Sequence, residues 1–168
     1  MRPRQTVLLI AAFVAAAIAI WRPPVPSGAG GDDGAGVGMV TRVVDGDTIH
    51  VALDGQDETV RYIGIDTPES VKPGTPVQCF AKAASAANER LVAGRRVRLA
   101  YDAERRDRYG RLLAYVYRAD DDAFVNARLV ADGYARTLTI PPNVRYADRF
   151  AALARAAREH ERGLWRTC

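Results

Sequence analysis

Two Asp-Gly pairs interrupt a stretch of alternating hydrophobicity, and this pattern restricts the first part of the folded chain to a β-meander. Asp45-Gly46 and Asp54-Gly55 are strong hairpin-turn signals, because tight hairpin turns need residues that tolerate positive φ angles. Around the pairs, apolar and polar side chains alternate with a period of two, as in strands with one buried face. The sequence therefore predicts three short strands, over residues 39–44, 48–53 and 59–65.

The rest of the chain mixes helical and strand patterns. Apolar residues recur at helical spacing over residues 80–92, and Gly94 is placed to end that helix. Further patterns predict strands over residues 96–101 and 112–117, a short helix over 125–131 and a final helix over 144–161. A helix between the third and fourth of five strands is the order of an OB-type barrel. We therefore predict an α+β fold, a five-stranded OB-type β-barrel with about three helices.

The amino terminus has the pattern of an export signal. Arg2 and Arg4 precede an uncharged apolar run over residues 6–21, which ends in small residues around Ala19. The run is short for a membrane-spanning helix, which needs about 20 residues, but an uncleaved anchor stays an alternative. We therefore predict a signal peptide or signal anchor over residues 1–21. The protein is expected to be exported, either secreted or attached through residues 6–21 to the outer face of the cytoplasmic membrane.

Residues 22–38 have the composition of a linker. They read RPPVPSGAGGDDGAGVG, with almost no large apolar side chain. Such Pro- and Gly-rich stretches are flexible connections rather than packed structure. The folded domain is therefore predicted to comprise residues 39–168.

The two cysteines, Cys79 and Cys168, fit an exported protein. A disulfide between them persists in an oxidising compartment and would tie the carboxyl end of the chain to its middle. Two unpaired thiols are the alternative.

The charge of the chain favours polyanionic partners. Lys and Arg number 24 against 20 Asp and Glu, a formal net charge of +4. Nearly all of the cations are arginines, which form bidentate bonds with phosphate. Nucleic acid and anionic membranes are the partner classes that this balance supports, although a merely soluble basic protein would look the same.

Two acidic clusters follow predicted strands. Asp45 and Asp47 flank a hairpin turn, and Asp66 and Glu69 flank a Thr-Pro pair that forces the chain to turn. If the second and third strands are neighbours, both clusters meet at one end of the sheet. Carboxylates and a backbone carbonyl form a hard oxygen site for calcium or magnesium. Each cluster taken alone also fits an ordinary turn.

Two arginines complete a chemical pattern. Arg61 lies in a mostly apolar strand five residues before Asp66, and Arg111 closes a charged loop before the fifth strand. Arginines beside a carboxylate-bound cation suit phosphodiester hydrolysis, because they stabilise the negative charge that grows on phosphate oxygens. Two structural salt bridges are the alternative.

Four segments together resemble the staphylococcal nuclease (thermonuclease) family. They are VVDGDTIHV, RYIGIDTPE, DRYGRLLAYVY and the terminal GLW, and they occur in order over residues 39–165. The resemblance implies an OB-fold nuclease that uses Ca²⁺ to cleave DNA, RNA or both. It further implies internal cleavage with 3′-phosphate products, and we expect a monomer.

The same resemblance implies a metal-ligand set and a catalytic residue. Asp47 and Asp66 would bind the metal through carboxylates, Thr67 through its carbonyl oxygen, and Asp45 would belong to the outer shell. Glu69 would orient or deprotonate the attacking water.

It also implies the groups that hold the substrate. Arg61 and Arg111 would hold the phosphate and stabilise the transition state, with Arg111 near the leaving oxygen. Arg108 and Tyr109, in the family's DKYG turn, would contact the substrate.

The sequence departs from the staphylococcal prototype where that protein carries base-pocket tyrosines. The matching residues 137–143 read TLTIPPN, so Tyr134 and Tyr146 are the candidates for stacking on a base. Two other function classes remain: a non-catalytic nucleic-acid-binding module of the same fold, and an exported structural or adhesion domain. Retention of the full catalytic set favours the nuclease.

Overall fold

The computed structural model describes residues 36–69, 74 and 76–168, so the predicted leader and most of the predicted linker lie outside it. The elements in chain order are β1 Gly36–Val43, β2 Thr48–Leu53, β3 Gln56–Tyr62, β4 Gly64–Asp66, α1 Ala81–Val92, β5 Arg96–Ala100, β6 Leu112–Arg118, α2 Val125–Ala131, β7 Arg136–Leu138, α3 Ala147–Glu159 and α4 Leu164–Thr167. No helix within the described residues is long and apolar enough to cross a membrane.

Five strands close into a barrel in the order β1, β2, β3, β6, β5. Four of the pairings are antiparallel, and the parallel pairing of β3 with β6 completes the ring. Aliphatic side chains from all five strands form the core, among them the fully buried Ile49, Val60 and Leu99. The predicted OB-type barrel and α+β class are confirmed, with four helices in the described residues rather than about three.

The β2–β3 hairpin sets the register on which the candidate site depends. Asp54 and Gly55 form its two-residue turn, with φ angles of 51° and 82° that are typical of a type I′ turn. The resulting register places Thr48 opposite Arg61. Because a slip of one residue would send every side chain to the other face, this turn determines that Arg61 lies beside the start of β2.

The predicted third strand, over residues 59–65, is wrong in its last part. β3 ends at Tyr62, and Gly64, with a φ of 81°, begins the separate strand β4. β4 leaves the barrel and pairs with β7, a strand that the sequence analysis did not predict. Apolar residues continue through Ile63 and Ile65, so the hydrophobic pattern does not reveal the left-handed turn between them.

Two further boundaries differ from the prediction. β1 begins at Gly36, so the last three residues of the predicted linker belong to the barrel. A Cβ atom on Gly38 would lie 2.5 Å from the carbonyl oxygen of Ala52, so glycine permits the close pairing of β1 with β2. α3 begins at Ala147 rather than at residue 144, and α4 after Gly163 was not predicted.

The start of α3 is delayed because polar contacts hold the preceding residues against the loop after β5. Asn143 exchanges two hydrogen bonds with the backbone of Glu104, at 2.8 and 2.9 Å. Two residues further on, the N–H of Arg145 donates to the carboxylate of Asp102 at 3.1 Å. These contacts fix residues 141–146 in a non-helical path along one wall of the candidate site.

Cys79 and Cys168 are joined by a disulfide, which confirms the predicted pairing. Their Cα atoms are 6.0 Å apart, although the residues are separated by 89 positions in sequence. The bond connects the residue two positions before α1 to the carboxyl terminus after α4.

Replacing Gly64 tests the break between β3 and β4. A Cβ atom there would lie 2.5 Å from the ring of Phe150 on α3, and the residue would have to keep its positive φ. We expect Gly64→Ala to lower the free energy of unfolding by about 2–4 kcal/mol, measured by urea unfolding. Gly94→Ala is the matched control, because Gly94 also has a positive φ but faces open space, and we expect a loss of about 1 kcal/mol. Equal losses would contradict the tight contact with Phe150.

Candidate active site

Asp47 lies between β1 and β2 and is almost completely buried, with 4% of its surface exposed. Its Oδ2 accepts hydrogen bonds from the N–H and the hydroxyl of Thr67, at 2.7 and 3.0 Å. Its Oδ1 accepts one from the hydroxyl of Thr48 at 3.1 Å, and its N–H donates to Asp45 Oδ1 at 3.0 Å. These bonds fix the Asp47 carboxylate where the β1–β2 connection meets the end of β4.

The close approach of these two segments requires a glycine between the two aspartates. A Cβ atom on Gly46 would lie 2.7 Å from the side chain of Thr67. Thr67 therefore lies beside Asp47. Thr67 contacts Asp47 through its N–H and its hydroxyl, and ligation of a metal by its carbonyl oxygen stays a prediction.

Asn88 is a supporting residue that the sequence analysis missed. This fully buried amide of α1 accepts a hydrogen bond from the hydroxyl of Tyr62 and donates one to the carbonyl of Asp45, both at 2.9 Å. It thereby ties α1 to the turn that carries Asp47. A signal was present, because Asn88 follows Ala84 by four positions and so lies on the apolar face of the predicted helix.

Arg61 joins the two acidic clusters. From β3 its Nη1 lies 2.9 Å from Asp47 Oδ2, and its Nη2 lies 2.8 Å from Asp66 Oδ1. Nη1 also donates to the carbonyl oxygen of Ile65 at 3.1 Å. The guanidinium is largely buried, with 14% of the side chain exposed, and it holds both carboxylates in one place.

The electrostatic balance of this group favours an additional cation. Burial raises the pKa of Asp47 to about 7, while the Arg61 guanidinium opposes the shift and the charge of Asp45 reinforces it. When ionised, the carboxylates of Asp45, Asp47 and Asp66 carry three negative charges against the single positive charge of Arg61, a formal balance of −2. A bound cation would lower the pKa of Asp47 and stabilise the ionised form.

The donor chemistry fits a hard divalent cation. Asp47 and Asp66 both contact the same guanidinium, so their oxygens converge. No three His, Cys, Asp or Glu side chains converge on a metal centre in residues 36–69, 74 and 76–168. Two carboxylates completed by a carbonyl oxygen and water suit calcium or magnesium, whereas softer metals take Cys and His ligands.

Glu69 is half-buried in the segment that follows β4. Its backbone is paired with Gln78: the N–H of Glu69 donates to Gln78 Oε1 at 2.9 Å, and the N–H of Gln78 donates to the Glu69 carbonyl at 3.0 Å. Glu69 follows Thr67 by two positions in the sequence. Its role as general base or water-orienting group stays a prediction.

Arg111 is held by Asp107, a partner that the sequence analysis did not assign a role. Asp107 Oδ2 accepts a hydrogen bond from Arg111 Nε at 2.7 Å. The same oxygen also lies 2.7 Å from Arg111 Nη2. Asp107 Oδ1 accepts from the N–H groups of Tyr109 and Arg111, at 2.9 and 3.0 Å. One carboxylate therefore fixes both the turn and the guanidinium that it presents.

Tyr109 and Arg108 lie at the exposed tip of this turn. Tyr109 is 69% exposed, and Arg108 donates to its hydroxyl at 2.6 Å. The guanidinium carbons of Arg108 and Arg111 lie 4.8 and 5.5 Å from the centre of its ring. The turn therefore presents an accessible aromatic surface flanked by two positive charges.

A cavity of about 420 Å³ brings the two candidate phosphate-binding arginines together. Arg61 and Arg111 both line it, together with Tyr109. Leu138 and Ile140, which are 38% and 59% exposed, form an aliphatic part of its wall. The cavity therefore combines cationic groups for phosphate with an apolar surface.

The two tyrosines proposed for base stacking are not in this cavity. Tyr134 stacks on Phe80 at 5.5 Å, and Tyr146 packs edge-on against Tyr115 at 4.6 Å and accepts a hydrogen bond from Tyr117. Their rings contact neighbouring aromatic side chains, and the suggestion that Tyr134 and Tyr146 could replace some of the base stacking stays a prediction that this packing does not support.

An OB-type barrel with this arrangement of carboxylates and arginines defines the class of protein. Residues 59–167 match the family described as staphylococcal nuclease homologue. The chain belongs to the staphylococcal nuclease family.

Individual relatives cover most of the domain. The chain is similar to the thermonuclease of Staphylococcus intermedius, with 46% identity over 76% of this chain and 74% of the relative. It is 43% identical to the thermonuclease of Staphylococcus hyicus over 75% of this chain and 73% of that protein. It is 41% identical to endonuclease YncB of Bacillus subtilis over 74% of this chain and 59% of that protein.

The partnership of Asp107 with Arg111 predicts a pH-dependent contribution to stability. Burial acts to raise the pKa of Asp107, but hydrogen bonds from Arg111 and from the backbone outweigh burial and hold the pKa below its ordinary value of 3.8. Because the folded-state pKa is the lower one, the stabilisation is present above about pH 4 and is lost as the pH falls through the folded value.

We expect Asp107→Asn to lower the free energy of unfolding by about 1–2 kcal/mol at pH 7, and by less at pH 3. Urea unfolding at both pH values measures the difference. Asp148→Asn, at an exposed position in the first turn of α3, is the control. It should lower the free energy of unfolding by only about 0.3 kcal/mol. If Asp107→Asn lowers the free energy of unfolding equally at both pH values, the result would argue against a charged pair between Asp107 and Arg111.

Proposed function

We propose that this chain is a calcium-dependent nuclease that hydrolyses phosphodiester bonds in DNA, RNA or both. The observation that carries the proposal is the position of Arg61. It bridges two carboxylates suited to a hard cation and lines the same cavity as Arg111. The similarity to thermonucleases and an endonuclease supports the same activity.

Asp47 and Asp66, with the carbonyl oxygen of Thr67, are the proposed ligands of Ca²⁺. The ion would supply positive charge that polarises the phosphate and the attacking water. Asp45 contributes charge from the outer shell through its bond to the Asp47 N–H. The formal charge of −2 on this group favours a divalent ion over a monovalent one.

The protein groups act on the phosphate and on the water. Arg61 and Arg111 hold the phosphate and stabilise the extra negative charge as the phosphorus becomes five-coordinate. Glu69 orients the water or accepts its proton. The bond from phosphorus to the 5′ oxygen then breaks, and the departing oxygen takes up a proton. The products are a 3′-phosphate and a 5′-hydroxyl, with Arg111 beside the departing oxygen.

Substrate contacts extend beyond the scissile phosphate. Arg108 and Tyr109 form an accessible cationic and aromatic surface at the mouth of the cavity, suited to a neighbouring phosphate or sugar. The open cavity supports internal cleavage of a continuous strand. The enzyme is proposed to act as a monomer.

Export is part of the proposal. The disulfide between Cys79 and Cys168 fits an oxidising compartment, and the apolar run over residues 6–21 fits an export signal. The protein would be secreted or anchored to the outer face of the cytoplasmic membrane.

Calcium dependence is tested with the purified chain on single- and double-stranded substrates. We expect degradation with added calcium, no degradation with a calcium chelator, and product strands that carry 3′-phosphates. Asp66→Asn should raise the calcium concentration for half-maximal activity about tenfold or more, because a charged ligand is lost. Asp148→Asn is the matched control. Full activity in chelator, or an unchanged calcium requirement in Asp66→Asn, would exclude the proposed metal site.

The arginines are tested by separate substitutions. Arg61→Ala and Arg111→Ala should each lower kcat by about 10²–10³-fold, because each removes charge stabilisation from the transition state. Arg155→Ala, at an exposed position on α3, should leave kcat unchanged. Circular dichroism establishes that the variants are folded. Normal kcat in both site variants, or binding of nucleic acid by the parent without any cleavage, would favour the non-catalytic binding module instead.

A further inference from the structure

Gln78 holds the backbone of the candidate general base on both sides. It accepts a hydrogen bond from the N–H of Glu69 through its side chain and donates one to the carbonyl of Glu69 from its backbone. The two residues are nine positions apart in the sequence. Movement of Gln78 would release both bonds to Glu69 together.

Gln78 is itself held by a covalent bond next to it. Cys79 follows Gln78 directly and forms the disulfide with Cys168. The chain of connections therefore runs from the carboxyl terminus through the disulfide to Gln78 and from there to Glu69. Loss of the disulfide would break the covalent connection between Cys79 and the carboxyl-terminal residue.

The terminus to which the disulfide is attached is fixed by packing of its own. Leu164 of α4 is 2% exposed, and its N–H donates to the carbonyl of Gly133 at 2.9 Å. Gly163 lies so close to Gly133 that a Cβ atom on it would be 2.3 Å from the Gly133 carbonyl oxygen. The N–H of Cys168 in turn donates to the Leu164 carbonyl at 3.0 Å. The disulfide thus links Cys79, the neighbour of Gln78, to a well-packed part of the molecule.

Both cysteine residues are exposed at the surface, so the disulfide is accessible to thiols. The thiolate of a dithiol reductant attacks one sulfur, the Cys79–Cys168 bond breaks, and a mixed disulfide forms. The second thiol of the reductant then displaces the protein thiol. Two electrons and two protons pass to the protein, and the reductant becomes a disulfide. A disulfide-bearing oxidant reverses this exchange.

We propose that Gln78 is a positioning residue for Glu69 and that the Cys79–Cys168 disulfide makes this positioning dependent on oxidation. The inference rests on the proposed nuclease function. In this arrangement the reduced chain is a poor nuclease, and the chain reaches full activity when an oxidant closes the disulfide. Because small displacements of catalytic groups cost large factors in rate, we expect at least about a tenfold effect.

A disulfide with a purely structural role would behave differently. It would stabilise the whole domain by constraining the unfolded chain, without changing kcat of the molecules that remain folded. A positioning device lowers kcat in the folded protein, and it leaves substrate binding and the calcium requirement nearly unchanged, because Arg61, Asp47 and Asp66 lie outside the Gln78–Glu69 pair.

The first experiment compares the oxidised full-length chain with the chain reduced by dithiothreitol and then alkylated. Near-ultraviolet circular dichroism and a thermal melt select a temperature at which both forms are folded. We expect kcat to fall about tenfold or more in the reduced form, with KM and the calcium concentration for half-maximal activity within about twofold. A folded reduced form with unchanged kcat would overturn the inference, as would a large change confined to KM.

The second experiment leaves the disulfide intact. Gln78→Met removes the acceptor for the Glu69 N–H and should lower kcat at least about fivefold, whereas Gln56→Met, at an exposed position in β3, should not change it. Reduction of the Gln78→Met protein should then lower kcat by less than about twofold, because both changes break the same chain of contacts. Effects that simply multiply, or a normal kcat in Gln78→Met, would overturn the inference.

The oxidised parent protein separates the two proposals. Activity of the oxidised parent with calcium, together with equal activity of the reduced parent, rejects the positioning device and leaves the nuclease function standing. No activity of the oxidised, folded parent with calcium rejects the nuclease function itself.

Discussion

The bridge formed by Arg61 is the interaction on which the candidate site depends. Asp47 is nearly fully buried, and an isolated buried carboxylate would become neutral rather than remain charged. Arg61 compensates part of that cost and holds Asp66 at the same point, within 2.8–2.9 Å of both carboxylates. The three residues come from three different segments. The barrel's register places Arg61 beside Asp47, and the resulting group carries a net negative charge to which the proposed divalent cation would bind.

The break in the third strand makes this bridge geometrically possible. In a continuous strand, residues five apart are separated by about 16 Å, which is too far for a guanidinium to reach the second carboxylate. The left-handed turn at Gly64 returns the chain towards β3, so that Arg61 reaches both Ile65 and Asp66. The close contact of Gly64 with α3 fixes the turn from outside. Gly64 is therefore needed both for the path of the chain and for the contact between Arg61 and Asp66.

The barrel was largely predictable from sequence, because its strands follow from local pattern. The candidate site residues could be selected by type, but their roles came from the family resemblance and stay predictions. The Asp-Gly turns and the alternation around them predict the hairpins, and the acidic clusters and the two arginines stand out by type. The contacts that organise the site were not predictable in the same way. Arg61 bridging both carboxylates, Asn88 holding the Asp45 carbonyl and Asp107 holding Arg111 all depend on three-dimensional geometry. The stacking of Tyr134 on Phe80 was likewise not predictable, because residue type alone does not reveal which rings pack against each other.

The composition of the cavity bears on how such a site would select its substrate. Groups that read base edges must donate or accept hydrogen bonds, and the exposed wall formed by Leu138 and Ile140 offers only apolar contact. Apolar contact with a base or sugar face is tolerant of sequence, as stacking is. In the proposed mechanism Arg61 and Arg111, by contrast, act on the phosphate, a charge that every nucleotide carries. Asn143 also lines the cavity, but its amide bonds to the backbone of Glu104. For the proposed nuclease, the apolar part of the wall therefore favours recognition dominated by phosphate, with weak base preference.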